Sequence, residues 1–277
     1  MAWLNGILNK SVLINIALAS IVFALFYAWN TRYDVALRDV QYFNGWTLAA
    51  CITIMMLLTL RKRMVILPFG RVRFWLLVHY YLAILTVGAF LVHTRFKLPD
   101  SLLEWVLWSL FVLVAVSGIF GALISKYIPP KLEAHGERIM FERIPVFRNQ
   151  LAIEAEALAR ESVKDGTASI AKLYVDVLGN FFAGPRNVLA HLHSSHVPLA
   201  RLLDELSSIE RYLDDAGKAR LAKMRELVET KNNLDFQYAN AGLLRLWPFL
   251  HLPPTYALLV IAVVHVILAY AFSARIA

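Results

Sequence analysis

Five stretches of the chain are nearly free of polar residues: Val12–Trp29, Trp46–Leu60, Phe74–His93, Leu102–Ile124 and Thr255–Phe272. Apolar runs of about 18 to 24 residues match the hydrocarbon thickness of a bilayer and predict membrane helices rather than core helices. The second run is the shortest. Between the fourth and fifth the pattern changes. In VFRNQLAIEAEALARESV, ASIAKLYVDVLGNFF, LARLLDELSSIERYL and KARLAKMRELVETKNNLDF, apolar residues recur at three- and four-residue steps. This predicts a small helical bundle, with breaks at Asp165-Gly166, at Gly184-Pro185 and near Asp215-Ala216-Gly217. The expected fold is an all-α membrane protein. Residues 1–125 hold four transmembrane helices, 126–247 a helical insertion, and 248–277 the fifth span.

Composition agrees: 59% of residues are hydrophobic and mean hydropathy is +0.56, above the usual soluble share. The single cysteine, Cys51, excludes intrachain disulfides, an iron–sulfur cluster held by this chain's cysteines alone, and covalent C-x-x-C-H haem attachment. The first apolar run has no basic region before it and no small-residue cleavage site, so it reads as a retained helix. Net charge is +8, yet residues 126–247 carry 17 Lys/Arg against 16 Asp/Glu. The excess lies in the membrane-flanking loops, chiefly at Arg61, Lys62, Arg63, Arg71 and Arg73. By the positive-inside rule this loop, the N-terminus and the helical insertion are cytoplasmic, and loops 30–45 and 94–101 are outside. A membrane accounts for the basic balance without a nucleic-acid surface. No nucleotide-binding glycine loop, kinase signature or nucleophile elbow is present.

The chemistry lies in histidines. His79 and His93 stand in the third apolar run, thirteen residues between them, and His251 and His265 repeat that spacing at the fifth. Ionisable residues inside a membrane are costly and point to function. Fourteen positions along an α-helix are about 21 Å of rise and nearly four whole turns. Each pair should therefore face one way, near opposite sides of the bilayer. In the expected topology the two helices are parallel, which sets His79 level with His251 and His93 level with His265. Two facing imidazoles at each level can ligate one haem iron from both sides. Bis-histidine ligation leaves no open iron position and favours electron transfer. The plain alternative is four unrelated histidines, each hydrogen-bonded within a bundle. Zinc or copper would need the ligands to converge at one point.

With these four histidines, and the glycines of the fourth apolar run in support, the membrane part resembles the diheme cytochromes b, including the cytochrome b of quinol–cytochrome c reductases. The resemblance stops short of residues 126–247, and no counterpart of the reductase's quinol-oxidation motif is found. It implies two b-type haems among segments two to five, with the first segment peripheral. It further implies exchange of electrons between the quinone pool and an outer-face partner, such as a cytochrome c or a periplasmic oxidoreductase subunit. The chain would be one subunit of a respiratory complex in a bacterial inner membrane rather than a self-contained enzyme. A haem-free scaffold or sensor with a helical interaction domain is the alternative from another class. A self-contained ferric or quinone reductase is a third, and no flavin or nicotinamide motif favours it.

Other positions complete the set. Gly118 and Gly121, with Ser117, give the fourth run a small face for a helix or a flat macrocycle, and Gly88 offers the same in the third. Arg71, Arg73 and Arg245 inside, and Arg95 and Lys97 outside, are candidate partners for haem propionates, or interfacial charges alone. Ser101 and Glu104 fit a capping box, which outweighs a role for Glu104 as proton acceptor from quinol. His191, His193 and His196 lack the i, i+4 pair of zinc enzymes and read as a solvated loop. His135 reads as exposed. His251 lies among Pro248, Pro253 and Pro254; a helix beginning at Pro253 would leave it outside.

Overall fold

The computed structural model describes residues 10–35, 40–63, 72–134, 139–164 and 168–273; side chains 10–16, 19, 33–35, 58–63, 72–73 and 273 are not described. Among the described residues there is no strand. The helices are α1 (Lys10–Val35), α2 (Val40–Arg63), α3 (Val72–His93), α4 (Leu102–Ala134), α5 (Ile144–Lys164), α6 (Ala168–Leu173), α7 (Gly179–Phe182), α8 (Val188–Leu192), α9 (Val197–Glu210) and α10 (Asp215–Ser273). The chain divides into two compact units, Met1–Val116 with Leu252–Ala277, and Ser117–His251.

Among the described residues, four helices are long and apolar enough to cross a membrane: Val40–Leu57, Phe74–His93 and the apolar parts of α4 and α10. Between 6% and 17% of their apolar windows is buried within the protein. Leu77, Ile84 and Leu91 on α3 and Val260, Val263 and Ile267 on α10 point outward. A helix apolar on every face and exposed belongs against lipid. The segment Val12–Trp29 lies within α1, whose first side chains fall outside the described residues.

In the first unit, α2 and α3 make the most extensive helix pair, and α1 packs on both. Helix α3 ends where Phe96 N–H donates to Leu91 O (3.0 Å) and Arg95 and Phe96 take φ of 52° and 57°. This left-handed close satisfies the last carbonyls and reverses the chain. The next helix opens on the expected box: Ser101 Oγ accepts from Glu104 N–H (3.3 Å), and Glu104 Oε2 accepts from Asp100 N–H (3.0 Å). Glu104 is thus a capping residue.

The second unit has its own core. Ala155 and Ala159 of α5 meet Ile170, Leu178, Leu206, Met224 and Val228, all fully or nearly fully buried. Small residues at i and i+4 on α5 let the facing helices approach closely. The stretch ASIAKLYVDVLGNFF is interrupted by a π turn at Tyr174–Leu178. Helix α9 begins at Val197 with Pro198 in its first turn. Asp214 Oδ1 accepts from Gly217 N–H (2.8 Å) and caps α10. The break near Asp215 is therefore the turn just before it. Position 165-166 lies outside the described residues.

Two expectations change. Helix α10 does not end before the membrane; it runs unbroken from Asp215 to Ser273 through Pro248, Pro253 and Pro254. Each proline removes one ladder bond, and membrane helices tolerate this where neighbouring groups take up the freed carbonyls. His251 is therefore inside a helix. His191 is not solvated: it is buried, with its ring at 90° and 6.1 Å from Phe236, although His193 and His196 are exposed. His135 lies outside the described residues.

Candidate functional site: the histidines of the apolar helices

In the first unit His93, the last residue of α3, meets His265 of α10. Their ring centroids are 6.5 Å apart and the planes stand at 84°. His93 Nδ1 lies 3.2 Å from the backbone oxygen of Gln41 on α2. A carbonyl can only accept, so the proton is on Nδ1 and the lone pair on Nε2. Metal-bound histidines commonly have their second nitrogen held this way. Gly45, one turn along α2 from Gln41, makes room for the ring: a Cβ there would stand 3.3 Å from His93 Cε1.

Both histidines border a cavity of about 670 Å³, within the range of about 300 to 1,000 Å³ typical of ligand and cofactor sites. Phe90, Leu107, Phe111 and Leu258 supply apolar walls, with Phe90 and Phe111 stacked at 3.9 Å. Arg95 and Lys97 are exposed and line the same cavity, as do Asp100 and Glu104. The left-handed turn after α3 brings the two cations to its margin. On another side Trp46 Nε1–H donates to Tyr270 Oη (2.8 Å), with Tyr42 against Tyr270 at 5.2 Å.

These residues fit a flat, largely apolar macrocycle with acidic edges. Two imidazoles sharing one metal ion through bonds of about 2 Å place their centroids roughly 6 Å apart, close to the observed separation. Among the described residues no group of three or more His, Cys, Asp or Glu could hold a metal ion, so a protein-only zinc or copper centre finds no ligand set there.

His79, fourteen positions before His93 on α3, sits against Ile54, Met55, Trp75, Val78 and Leu82, with essentially no open volume among them. His251 belongs to the second unit. There its Nδ1 lies 2.8 Å from Ser117 Oγ of α4, and its ring stacks on Trp247 at 5.2 Å and 22°. Trp247 Nε1–H donates to Ser117 O (2.7 Å). The glycines of α4 account for this closeness. A Cβ on Gly118 would stand 3.5 Å from His251 Cε1, and one on Gly121 would fall well under 3.0 Å from the Trp247 indole. Gly88 likewise receives Phe23 of α1. Of the two uses expected for these glycines, helix contact is the one observed.

Among the expected propionate partners, Arg95 and Lys97 line the cavity. Arg245 is engaged elsewhere: Nη1 pairs with Glu142 (2.6 Å) and the guanidinium lies over Phe141. Its hydrogen bond holds the Glu142 carboxyl below the usual range. Arg71 lies outside the described residues, as does the side chain of Arg73. Gln41, Gly45 and Trp247 carry no sequence expectation of a role, and Ser117 carries only that of a small residue on the α4 face. Trp247 has a readable signal, since a tryptophan four residues before a histidine shares its helix face.

No family model, no curated protein and no solved structure matches this chain.

Proposed function

We propose that the protein is a membrane electron-transfer subunit that holds b-type haem between paired histidines. The carrying observation is His93 and His265 at 6.5 Å beside a cavity of about 670 Å³. A plain ring contact between two histidines needs no such volume beside it. The Gln41 carbonyl supports the reading by fixing the tautomer in which His93 Nε2 is the ligand nitrogen.

A haem bound by two imidazoles supplies reversible one-electron exchange between ferric and ferrous iron, with no open position for substrate. The chain's own residues do the rest. His93 and His265 would hold the group through their ring nitrogens, and the Gln41 bond keeps the first ring oriented. Phe90, Phe111 and Leu258 exclude water and lower the local dielectric. Arg95 and Lys97 offset the propionate charge at the cavity margin. A second haem, expected at His79 and His251, rests on the repeated spacing in the sequence alone. Five spans with α1 peripheral, a cytoplasmic second unit, quinone or quinol on one side and an outer-face redox partner, in a bacterial inner membrane, complete the proposal.

The haem-free scaffold is favoured by one observation, that Trp247 and Phe23 fill the glycine faces. A visible spectrum of the full chain, purified from haem-supplied cells, separates the two. A b-type signal that sharpens on dithionite reduction is expected. Its absence sinks the haem reading in favour of the scaffold.

A further inference from the structure

Helix α2 supplies no ligand, yet it holds His93 by its backbone. In an α-helix the carbonyl of Gln41 accepts from the N–H of residue 45, and a Cβ at that residue leans back toward the same carbonyl. His93 Nδ1 reaches this carbonyl from the side, at 3.2 Å. A Cβ on Gly45 would stand 3.3 Å from His93 Cε1 and 3.8 Å from Nδ1. The first distance is tighter than side chains ordinarily pack, so the ring would have to give way. At Gly88 and Gly121 the space of the missing side chain is filled by a packing aromatic, Phe23 or Trp247. At Gly45 it is filled by a candidate ligand. Gln41, Gly45, His93 and His265 border one cavity, and the two imidazole planes are crossed at 84°.

We propose that Gly45 is a positioning residue that, with the Gln41 carbonyl, holds the His93 ring crossed to that of His265 where the two ligate one haem. This rests on the haem reading above. Crossed and parallel imidazoles are electronically different ligand pairs. Parallel rings direct their π electrons at the same iron d orbital and split it from its partner. Crossed rings each meet a different orbital, and the two stay close in energy. Low-spin ferric iron, with one unpaired electron in this set, gains from the splitting, whereas ferrous iron, with the set filled, does not. Crossed rings therefore hold the potential above that of a parallel pair. Residues outside the ligand set commonly orient metal-bound histidines and tune the metal in this way. Here the ring angle, and with it the potential, is set from α2.

The test is low-temperature electron paramagnetic resonance of the full haem-loaded chain, oxidised, in detergent, with haem counted per chain. Crossed rings give one isolated, large g value, and parallel rings give three well-separated ones. The signal of this centre is the one missing from His265→Ala. In wild type it is of the crossed kind, and in Gly45→Ala its largest g value falls toward the parallel pattern. Ala50→Val, on the exposed face of the same helix, leaves it in place. Loss of this haem in Gly45→Ala, with helix content kept and Ala50→Val still loaded, carries the same meaning. An unchanged signal in loaded Gly45→Ala overturns the assignment, as does a parallel-type signal in wild type or an equal shift in Ala50→Val. Loss of haem together with helix content in Gly45→Ala marks packing alone and also overturns it. Wild-type protein without haem overturns the function itself, a result readily told from an unchanged or parallel-type signal.

Discussion

Gly121→Ala tests whether the glycine face of α4 is reserved for Trp247. Alanine in a helix interior gains about 1 kcal/mol over glycine from backbone entropy. Against that, the new Cβ would lie well under 3.0 Å from two indole carbons and the indole nitrogen, so the ring must move bodily. Moving it breaks the 2.7 Å bond to Ser117 O, a loss of about 1 kcal/mol, and disturbs the stack on His251. Overpacking of this kind costs about 1 to 3 kcal/mol. The net expectation is a destabilisation of roughly 1 to 3 kcal/mol. Trp247→Ala removes the obstacle, so in that background Gly121→Ala should become neutral or stabilising. The cycle is measured by denaturant unfolding in detergent, followed by far-UV circular dichroism. A coupling of about 1 kcal/mol or more is expected for residues in contact. Additive effects would refute the assignment of Gly121 to Trp247.

Lys231 and Asp235 form a fully buried pair, held further by Gly184 O at 2.8 Å from Lys231 Nζ and by Arg186 N–H at 3.0 Å from Asp235 Oδ2. Lys231→Met leaves the buried Asp235 carboxylate with Arg148, at 3.7 Å, as its cation and should cost about 3 kcal/mol, read as a lower midpoint of denaturant unfolding; an unchanged midpoint would contradict this. Burial pushes Lys231 below its usual 10.5, although the Asp235 carboxylate pulls the other way. The unfolded state then binds the proton more tightly than the folded state does. The lysine's contribution to stability accordingly rises as pH climbs through the folded value toward 10.5 and is constant beyond it. Wild-type stability measured against Lys231→Met should follow that slope. Ser101→Ala removes the α4 cap and should cost about 1 kcal/mol, read as earlier thermal unfolding; Ser101→Thr should cost less.

Much of this architecture is written in local pattern. The run Phe74–His93 predicts α3 to within two residues of its observed start at Val72, because an uninterrupted apolar stretch has few alternatives. Ser101 and Glu104 predict their cap for the same reason: both partners lie within one turn. What local pattern misreads depends on distant neighbours. Prolines 248, 253 and 254 signal a break by their lost donors, yet α10 continues through them. Lys231 and Asp235 look like any exposed i, i+4 pair, and only the loop at Gly184–Arg186 and the Phe181 ring make their burial visible. His191 stands in a polar run, and its burial depends on Phe236, forty-five positions away. At the candidate site the spacing of the histidines names His93 and His265. The glycine and carbonyl that seat His93, Gly45 and Gln41, belong to a different helix and leave no periodic mark.

The most direct measurement is the haem content of His93→Ala and His265→Ala, counted per chain beside wild type. Two haems in wild type and one in each variant, the same spectral component missing from both, is the outcome expected if these residues share one iron. Retention of both haems in either variant, or loss of different components in the two, would contradict it.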